Sequence, residues 1–174
     1  MFSRFKKWLF RRIKTLLVRS DGIGYRDEAI LEVIHDGKVI ERRVARGRCP
    51  TNAGFAAVAA RVGGIAEDAF TYLAVGTSST GELATDTTLG AEITTGGLER
   101  AAATVTRVTT TVANDTLQLV YEWTATAEHL VRECGAFNLA AASDMLARKT
   151  FGLVTVPNGD HLKLTYKFPF SAAA

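Results

Sequence analysis

The chain has 174 residues, of which 47% are hydrophobic and 22% are charged, a composition that excludes wholesale disorder and a pair of full catalytic domains. The net charge of +3 is unevenly distributed, because seven of the 21 Lys and Arg residues precede the first acid, Asp21, and the remaining 14 are set against all 18 acids. The sequence is therefore divided into a strongly basic N-terminal segment and a mildly acidic body.

Residues 2–19 predict an amphipathic helix. Apolar side chains recur there at steps of three and four residues, which places them on one face, and Lys and Arg occupy the remainder. With the glycine-rich turn at 21–24, this helix is expected to form an arm over residues 1–24. The residues predicted to dock the arm on a partner are Phe2, Phe5, Trp8, Leu9, Arg11, Arg12, Ile13, Lys14 and Leu16.

Several partners suit such an arm. A basic amphipathic helix can lie on an anionic membrane, neutralise nucleic-acid phosphates, imitate an organellar presequence or dock its apolar face on a protein. We favour a protein surface, either the chain's own body, an identical subunit or another protein, over nucleic acid or a membrane.

The body, residues 25–174, opens with a predicted hairpin within residues 25–48. Residues 28–35 and 38–46 are rich in strand-forming side chains and flank Asp36-Gly37. This pair favours a type I′ turn because both central residues of such a turn need positive φ.

A short helix is predicted next, ending at Gly63-Gly64. Thr51 or Asn52 is expected to cap its start. Its buried face is expected to hold Phe55, Val58, Ala59 and Val62.

The rest of the body reads as strands. Residues 70–76 predict a buried strand that leads into a polar loop through about residue 90, which we expect to cross the surface. Residues 100–113 and 116–126 flank Asn114-Asp115 and predict a second hairpin. Further strands are expected at 129–138, 145–154 and 161–170, the last with one face made of Leu162, Leu164, Tyr166, Phe168 and Phe170.

These segments predict a mainly β fold with about eight strands and one short helix. We expect an antiparallel β-sandwich or jelly-roll-like domain, preceded by the helical arm.

Motifs for chemistry are weak throughout the body. Gly76 and Gly81 have the spacing of a phosphate-binding loop, but Glu82 stands where that loop needs Lys. His35, His129 and His161 belong to no local ligand motif and are expected to be strand or turn residues. The sequence therefore predicts no catalytic, cofactor or metal site and no enzyme.

The two cysteines predict little covalent structure. Cys49 and Cys134 are too few for a disulfide framework or a zinc-ligand cluster, and two reduced, partly buried thiols are favoured over a single bridge. Cys134 follows Glu133 and lacks the positive surroundings that activate a thiol.

Because no apolar run approaches the roughly 18 residues of a membrane span and no secretory signal pattern is present, we expect synthesis in the cytoplasm without export by that route.

Residues 50–170 carry a family resemblance. The segments concerned are 51–54, 70–77, 84–89 with Glu92, 100–115, Glu133-Cys-Gly-Ala-Phe-Asn138, 145–151 and 158–160. They resemble small virion proteins of tailed bacteriophages, and the part that begins Ala-Val-Gly-Thr is also similar to the start of phage tail-collar and tail-fibre modules. The resemblance implies a structural role without catalysis, whereas the arm and the first hairpin are less typical of the group.

We therefore expect a non-enzymatic virion component that is assembled in the host cytoplasm. Capsid decoration is favoured: the arm would grip the major capsid protein, a tail or neck protein or a neighbouring copy, and so bridge subunits. The alternatives are a neck, tail-collar or tail-fibre protein and, in another class, a module whose arm binds nucleic acid or a membrane surface. A homo-oligomer is expected, with a trimer suggested by the symmetry of such appendages, and no cofactor.

Overall fold

A computed structural model of the protein describes residues 23–47 and 50–172, and side chains from Arg26 to Phe170 within those ranges. The described chain is mainly β, as expected, with ten strands and one helix. The strands are β1 (Ile23–Tyr25), β2 (Asp27–His35), β3 (Lys38–Gly47), β4 (Tyr72–Gly76), β5 (Ala101–Ala102), β6 (Thr104–Val108), β7 (Thr116–Thr124), β8 (His129–Phe137), β9 (Met145–Val156) and β10 (His161–Ala172), and the helix is α1 (Asn52–Val62).

The strands form two antiparallel sheets. Sheet I has the order β3-β2-β10-β7-β6, and β1 pairs with the C-terminal end of β10, next to the start of β2. Sheet II has the order β5-β4-β8-β9. The C-terminal strand β10 therefore lies in the middle of sheet I, between β2 from the start of the body and β7 from its centre.

Both sheets contribute to one hydrophobic core. On β10 the alternate residues Leu162, Leu164, Tyr166 and Phe168 are fully buried, which confirms the predicted apolar face, and Phe170 packs against the core while partly buried. Sheet II adds side chains from β4, β8 and β9, including Leu73, Val75, Val131, Ala136, Val154 and Val156. Each large apolar side chain buried in this way stabilises the fold by about 1.5–3 kcal/mol.

The first hairpin is confirmed. β2 and β3 pair across a turn in which Asp36 has φ 48° and Gly37 has φ 73°, the left-handed conformation that a type I′ turn requires. His35 pairs with Lys38 on the two sides of that turn.

The second hairpin is shorter than predicted because the segment 100–113 is divided. Ala103 separates β5, which belongs to sheet II, from β6, which belongs to sheet I, and its N–H donates to Thr71 O at 2.7 Å. β6 then pairs with β7, and the residues between them close around Asp115. The Asp115 carboxylate accepts hydrogen bonds from the backbone N–H groups of Val112, Thr110 and Thr111, which hold its pKa far below its usual range.

Helix α1 has the predicted cap but not the predicted buried face. The Thr51 hydroxyl accepts a hydrogen bond from Gly54 N at 2.9 Å, as an N-cap does. The buried residues are Gly54 and Ala57. Of the predicted face, Val58 is partly buried against the core, whereas Ala59 is exposed, Phe55 is 50% exposed and Val62 is 85% exposed. The helix lies so close to β9 that a Cβ at position 54 would come within 3.0 Å of the Leu146 backbone, so small residues take the inner side.

The connection from β4 to β5, residues 77–100, is more firmly attached than a surface loop. Leu89, Ile93 and Leu98 are buried, and Glu92 forms a β-bridge with Gly76. Residues 77–88 are mostly exposed, as predicted for a loop that crosses the surface, and the chain enters the core only from Leu89 onward. The buried side chains of Leu89, Ile93 and Leu98 fill the core next to β4 and β8.

Candidate functional site

The predicted docking residues all precede Ile23 and so lie outside the described residues, as does Cys49. Residues 26–28, which follow the arm in sequence, border an open cleft of about 470 Å³. Its lining residues are Arg26, Asp27, Glu28, Arg46, Gly47, Thr110 and Pro169. Arg46 pairs with Glu28 at 2.5 Å, so acids and arginines both face this cleft.

The histidines are strand and turn residues, as predicted. His129 Nε2 lies 2.9 Å from Gly96 O, and His161 Nδ1 lies 3.4 Å from Glu122 Oε1. Within residues 23–47 and 50–172, no three His, Cys, Asp or Glu side chains are grouped so that they could hold a metal ion.

His35 forms an ion pair at the end of the first hairpin. Its Nδ1 lies 2.6 Å from Asp160 Oδ1, on the turn that precedes β10. The hydrogen bond to Asp160, the negative charge of Asp160 and that of Asp36 raise the pKa of His35 above 6.5. This contact ties the tip of β2 to the start of β10 and strengthens when the imidazole is protonated.

Cys134 is a free thiol that is fully buried in β8, which agrees with the expectation of a reduced cysteine at this position. Burial, with a further contribution from the charge of Asp27, raises the pKa of its thiol well above the ordinary value. A thiol held in the protonated form is a poor nucleophile.

The most deeply buried charges join β8 to β9. Glu133 is 0% exposed and its Oε2 accepts a hydrogen bond from Arg148 Nε at 2.7 Å. Arg148 also donates to Asp86 Oδ2 at 2.9 Å and to Thr80 O at 2.9 Å. Burial lowers the pKa of Arg148, but its hydrogen bonds to Asp86 and Glu133 outweigh that effect and raise the pKa. This group of Glu133, Arg148 and Asp86 is called the buried ion cluster below.

Backbone N–H groups complete the surroundings of Glu133. Ser78 N, Gly90 N and Ala91 N donate to its carboxylate at 3.2, 3.0 and 2.8 Å. All three belong to the 77–100 connection, which therefore contacts the carboxylate at two points along its length, residue 78 and residues 90–91. Because a buried carboxylate with several such partners is strongly held, the cluster fixes this connection to sheet II.

A second ion pair holds the far end of the same connection. Arg100 forms two parallel hydrogen bonds to Glu92, at 2.9 and 2.6 Å, and its guanidinium lies 3.6 Å from the centre of the Phe137 ring. It also donates to Ser143 Oγ at 2.5 Å. A bidentate pair with a stacked ring is specific to arginine, since lysine has neither the planar fork nor the stacking face.

A third buried pair joins the two sheets. Lys149 Nζ, on β9, lies 3.1 Å from Asp27 Oδ1, on β2, and the two side chains are 5% and 0% exposed. Tyr166 O–H, on β10, donates to Asp27 Oδ2 at 2.8 Å. Glu82 Oε1 lies 4.0 Å from Lys149 Nζ and accepts a hydrogen bond from Thr150 N at 2.6 Å. Burial raises the pKa of Glu82, but that hydrogen bond and the Lys149 charge outweigh it, so the pKa is lowered.

The outer face of sheet I alternates in charge. Strand register places Arg46, Glu28 and Lys167 side by side in one row across β3, β2 and β10. A parallel row contains Arg42, Glu32, Lys163 and Glu122. Neighbouring charges in each row have opposite signs, so these rows lack the single-sign character of a nucleic-acid-binding face.

Two groups of exposed apolar side chains lie on α1 with the residues after it and at the tip of the first hairpin. On α1, Phe55 and Val62 are seven residues apart and therefore share one helix face, followed by Ile65 at 66% exposure. At the tip of the first hairpin, Val39 and Ile40 are 52% and 58% exposed. Exposed apolar groups of this kind are typical of surfaces that contact other proteins.

Comparisons with protein-family models, with curated proteins and with solved structures find no match for this chain. Among the residues that the structure describes, no helix is long and apolar enough to cross a membrane.

Sequence reasoning missed the buried ion cluster. Glu133 and Arg148 lie 15 positions apart on consecutive strands, and Asp86 lies 62 positions before Arg148, so no local motif pairs them. The available signal was a pair of adjacent charged residues in each of two predicted strands that are otherwise rich in small or apolar residues, at 129–138 and 145–154. Such residues are seldom buried without a partner of opposite charge.

Proposed function

We propose that this protein is a non-enzymatic structural component of a tailed-phage virion, and specifically a capsid decoration protein that docks through its N-terminal arm and bridges subunits. The observation that carries the proposal is the place of the residues behind the phage resemblance. Asp86, Glu92, Arg100 and Glu133 stand in those segments. Asp86 and Glu133 both pair with Arg148 of β9, which attaches the 77–100 connection to the body, and Glu92 and Arg100 pair with each other within the connection. The residues behind the resemblance thus stabilise the 77–100 connection, which is a structural role.

The architecture supports the same proposal. Two antiparallel sheets that share a hydrophobic core fit a β-sandwich with jelly-roll-like connections. A compact sandwich with braced loops keeps its shape when it is repeated over a particle, and the exposed apolar residues on α1 and at the hairpin tip offer surfaces to neighbouring subunits.

The arm supplies the attraction to a partner. Its seven basic residues contrast with the alternating charges on sheet I, so the strongest electrostatic field of the chain lies in residues 1–19. In an acidic groove on the major capsid protein, the apolar face of the arm would bind as the anchor. The Arg and Lys residues of the arm would pair with the acids of the groove and so fix the position of the arm along it. Tethering this contact to the body raises its effective concentration.

A neck, tail-collar or tail-fibre protein is the second candidate. It is favoured by the similarity of the segment Ala-Val-Gly-Thr77, with Thr85-Asp-Thr-Thr88 and Glu92, to the start of tail-collar and tail-fibre modules. The two candidates differ in the expected copy number on a particle, which is high on a head and low at a neck or tail.

Deletion of residues 2–20 tests the docking role of the arm. We expect the truncated protein to keep the circular dichroism and the unfolding midpoint of the body but to lose binding to particles that lack this protein. A matched pair of full-length variants separates the two forces. Replacing Phe2, Phe5, Leu9 and Ile13 with Ser should abolish binding at all salt concentrations, whereas replacing Arg11, Arg12 and Lys14 with Gln should weaken it mainly at low salt.

Normal incorporation of the truncated protein into particles would contradict this role. Retention of DNA or of anionic vesicles by the arm, lost steeply as salt rises, would instead favour a nucleic-acid- or membrane-binding module.

A further inference from the structure

We infer that Lys149 and Asp27 condense into an intramolecular isopeptide bond that joins the two sheets. The inference is independent of the virion proposal, because it concerns the chemistry of one buried site. Its first support is proximity: the Lys149 amino group and the Asp27 carboxyl group approach to 3.1 Å from opposite sheets, and both side chains are at most 5% exposed. Reacting groups held at such a distance and shielded from water react as if at very high concentration.

The second support is the asymmetric environment of the Asp27 carboxyl group. Oδ2 accepts a hydrogen bond from Tyr166 O–H at 2.8 Å. Oδ1 is buried and has no hydrogen-bond partner in the described chain, although Lys149 Nζ lies beside it. The carboxyl group is thus polarised by a donor on one oxygen and approached by a nucleophile on the other side.

The third support is a nearby group that can move protons. Glu82 Oε1 lies 4.0 Å from Lys149 Nζ and is kept in place by the N–H of Thr150. Its side chain is only partly exposed, at 23%. A carboxylate that moves about 1 Å closer, or that works through one bridging water, can take a proton from the amino group and return it to a leaving oxygen.

The reaction balances without any external reagent. Glu82 accepts a proton from the Lys149 ammonium group and passes it to an oxygen of the Asp27 carboxylate. The neutral amine then attacks Cγ of Asp27, and a C–N bond forms. A second proton from the nitrogen goes to the same oxygen, the C–O bond breaks, and one molecule of water leaves. The ammonium and carboxylate pair becomes one amide plus one water, with no change in oxidation state.

The surroundings favour the product. An ion pair buried at this depth forfeits the hydration of two charges, and condensation removes both charges at once. Gly47 leaves the space next to Lys149 Nζ, because a Cβ at that position would overlap the amino group. The resulting bond would connect β2 of sheet I to β9 of sheet II and limit the freedom of the unfolded chain, as a disulfide between distant residues does.

Mass spectrometry of the wild-type protein tests the inference directly. We expect the intact mass to be lower than the sequence mass by one water, after allowance for removal of Met1. Trypsin should fail to cleave after Lys149, and tandem spectra should identify a branched peptide that contains both Asp27 and Lys149. The full mass after prolonged incubation would overturn the inference. Water loss with cleavage after Lys149 would also overturn it, since that result indicates an aspartyl succinimide.

Variants sharpen the test. Lys149→Arg keeps the positive charge but lacks the nucleophilic amine, so it should show the full mass, while Lys163→Arg on the outer face of sheet I should retain the water loss. Asp27→Asn should lose ammonia in place of water if the amine attacks at this position. Glu82→Gln should slow bond formation at least tenfold in protein refolded from denaturant. A branched peptide that joins Lys149 to Glu82 would contradict the assignment to Asp27.

Discussion

The Glu133 carboxylate offers a direct test of the buried ion cluster. Glu133→Gln keeps the shape of the side chain but removes its charge and replaces one acceptor oxygen with an amide donor. In the wild type the two oxygens receive Arg148 Nε and three backbone N–H groups. After the substitution, at least one of these donors faces an N–H₂ group, and Arg148 keeps a single anionic partner, Asp86.

The expected cost follows from burial. Removing one partner of a buried ion pair typically costs about 3–5 kcal/mol, because the other charge is left without compensation. The Arg148 side chain is 4% exposed, so water cannot hydrate its guanidinium to compensate for the lost charge of Glu133. Since Asp86 still compensates part of the Arg148 charge, we expect the lower end, about 3 kcal/mol, out of a total stability of about 5–15 kcal/mol for an ordinary domain.

Chemical denaturation followed by far-ultraviolet circular dichroism measures this loss. Glu122→Gln is the matched control, because Glu122 is 46% exposed and contacts His161 at 3.4 Å. Its effect should stay within about 0.5 kcal/mol. A double-mutant cycle with Arg148→Met should give a large coupling energy with Glu133→Gln. An effect of Glu133→Gln as small as that of the control, with an unchanged denaturant slope, would refute the reasoning.

Two further variants test other parts of the fold. His35 has a raised pKa in the folded state, so its pair with Asp160 stabilises the protein below about pH 6.5, and that stability is lost as the pH rises through the raised value. Unfolding curves at several pH values should show this fall in the wild type and not in His35→Asn. An equal dependence of stability on pH in the two proteins would contradict the pairing. Gly54→Ala should destabilise by about 1–3 kcal/mol because its Cβ would collide with the Leu146 backbone, although Gly→Ala inside a helix ordinarily stabilises. Gly152→Ala is the control, because no atom lies near the added Cβ, and it should leave the free energy of unfolding almost unchanged. A Gly54→Ala protein as stable as this control would show that α1 can move away from β9.

Local signals in the sequence carry much of the fold. Asp36-Gly37 determines its own turn because only a few residue types tolerate positive φ at two successive positions. Thr51 caps α1 through a contact within four residues. The alternation along β10 is strong because one whole face of that strand enters the core.

Features that depend on tertiary contact could not be predicted in this way. The buried face of α1 is decided by how closely β9 approaches, which selects Gly54 and Ala57 over the larger Phe55. The two short strands β1 and β5 exist through pairing with β10 and β4, and they are too brief to show a period. The buried ion cluster and the pair Lys149 and Asp27 join residues from distant segments, which spacing alone does not reveal.

The position and copy number of this chain on a phage particle test the central proposal most directly. Electron cryomicroscopy of phage particles purified from cells in which the chain is produced, combined with quantitative mass spectrometry of the same particles, gives both numbers. Capsid decoration predicts many copies in symmetric positions on the head, each with its N-terminal segment in contact with the major capsid protein or a neighbouring copy. A few copies at the neck or tail would contradict decoration and favour the second candidate, and absence of the chain from purified particles would contradict the virion role altogether.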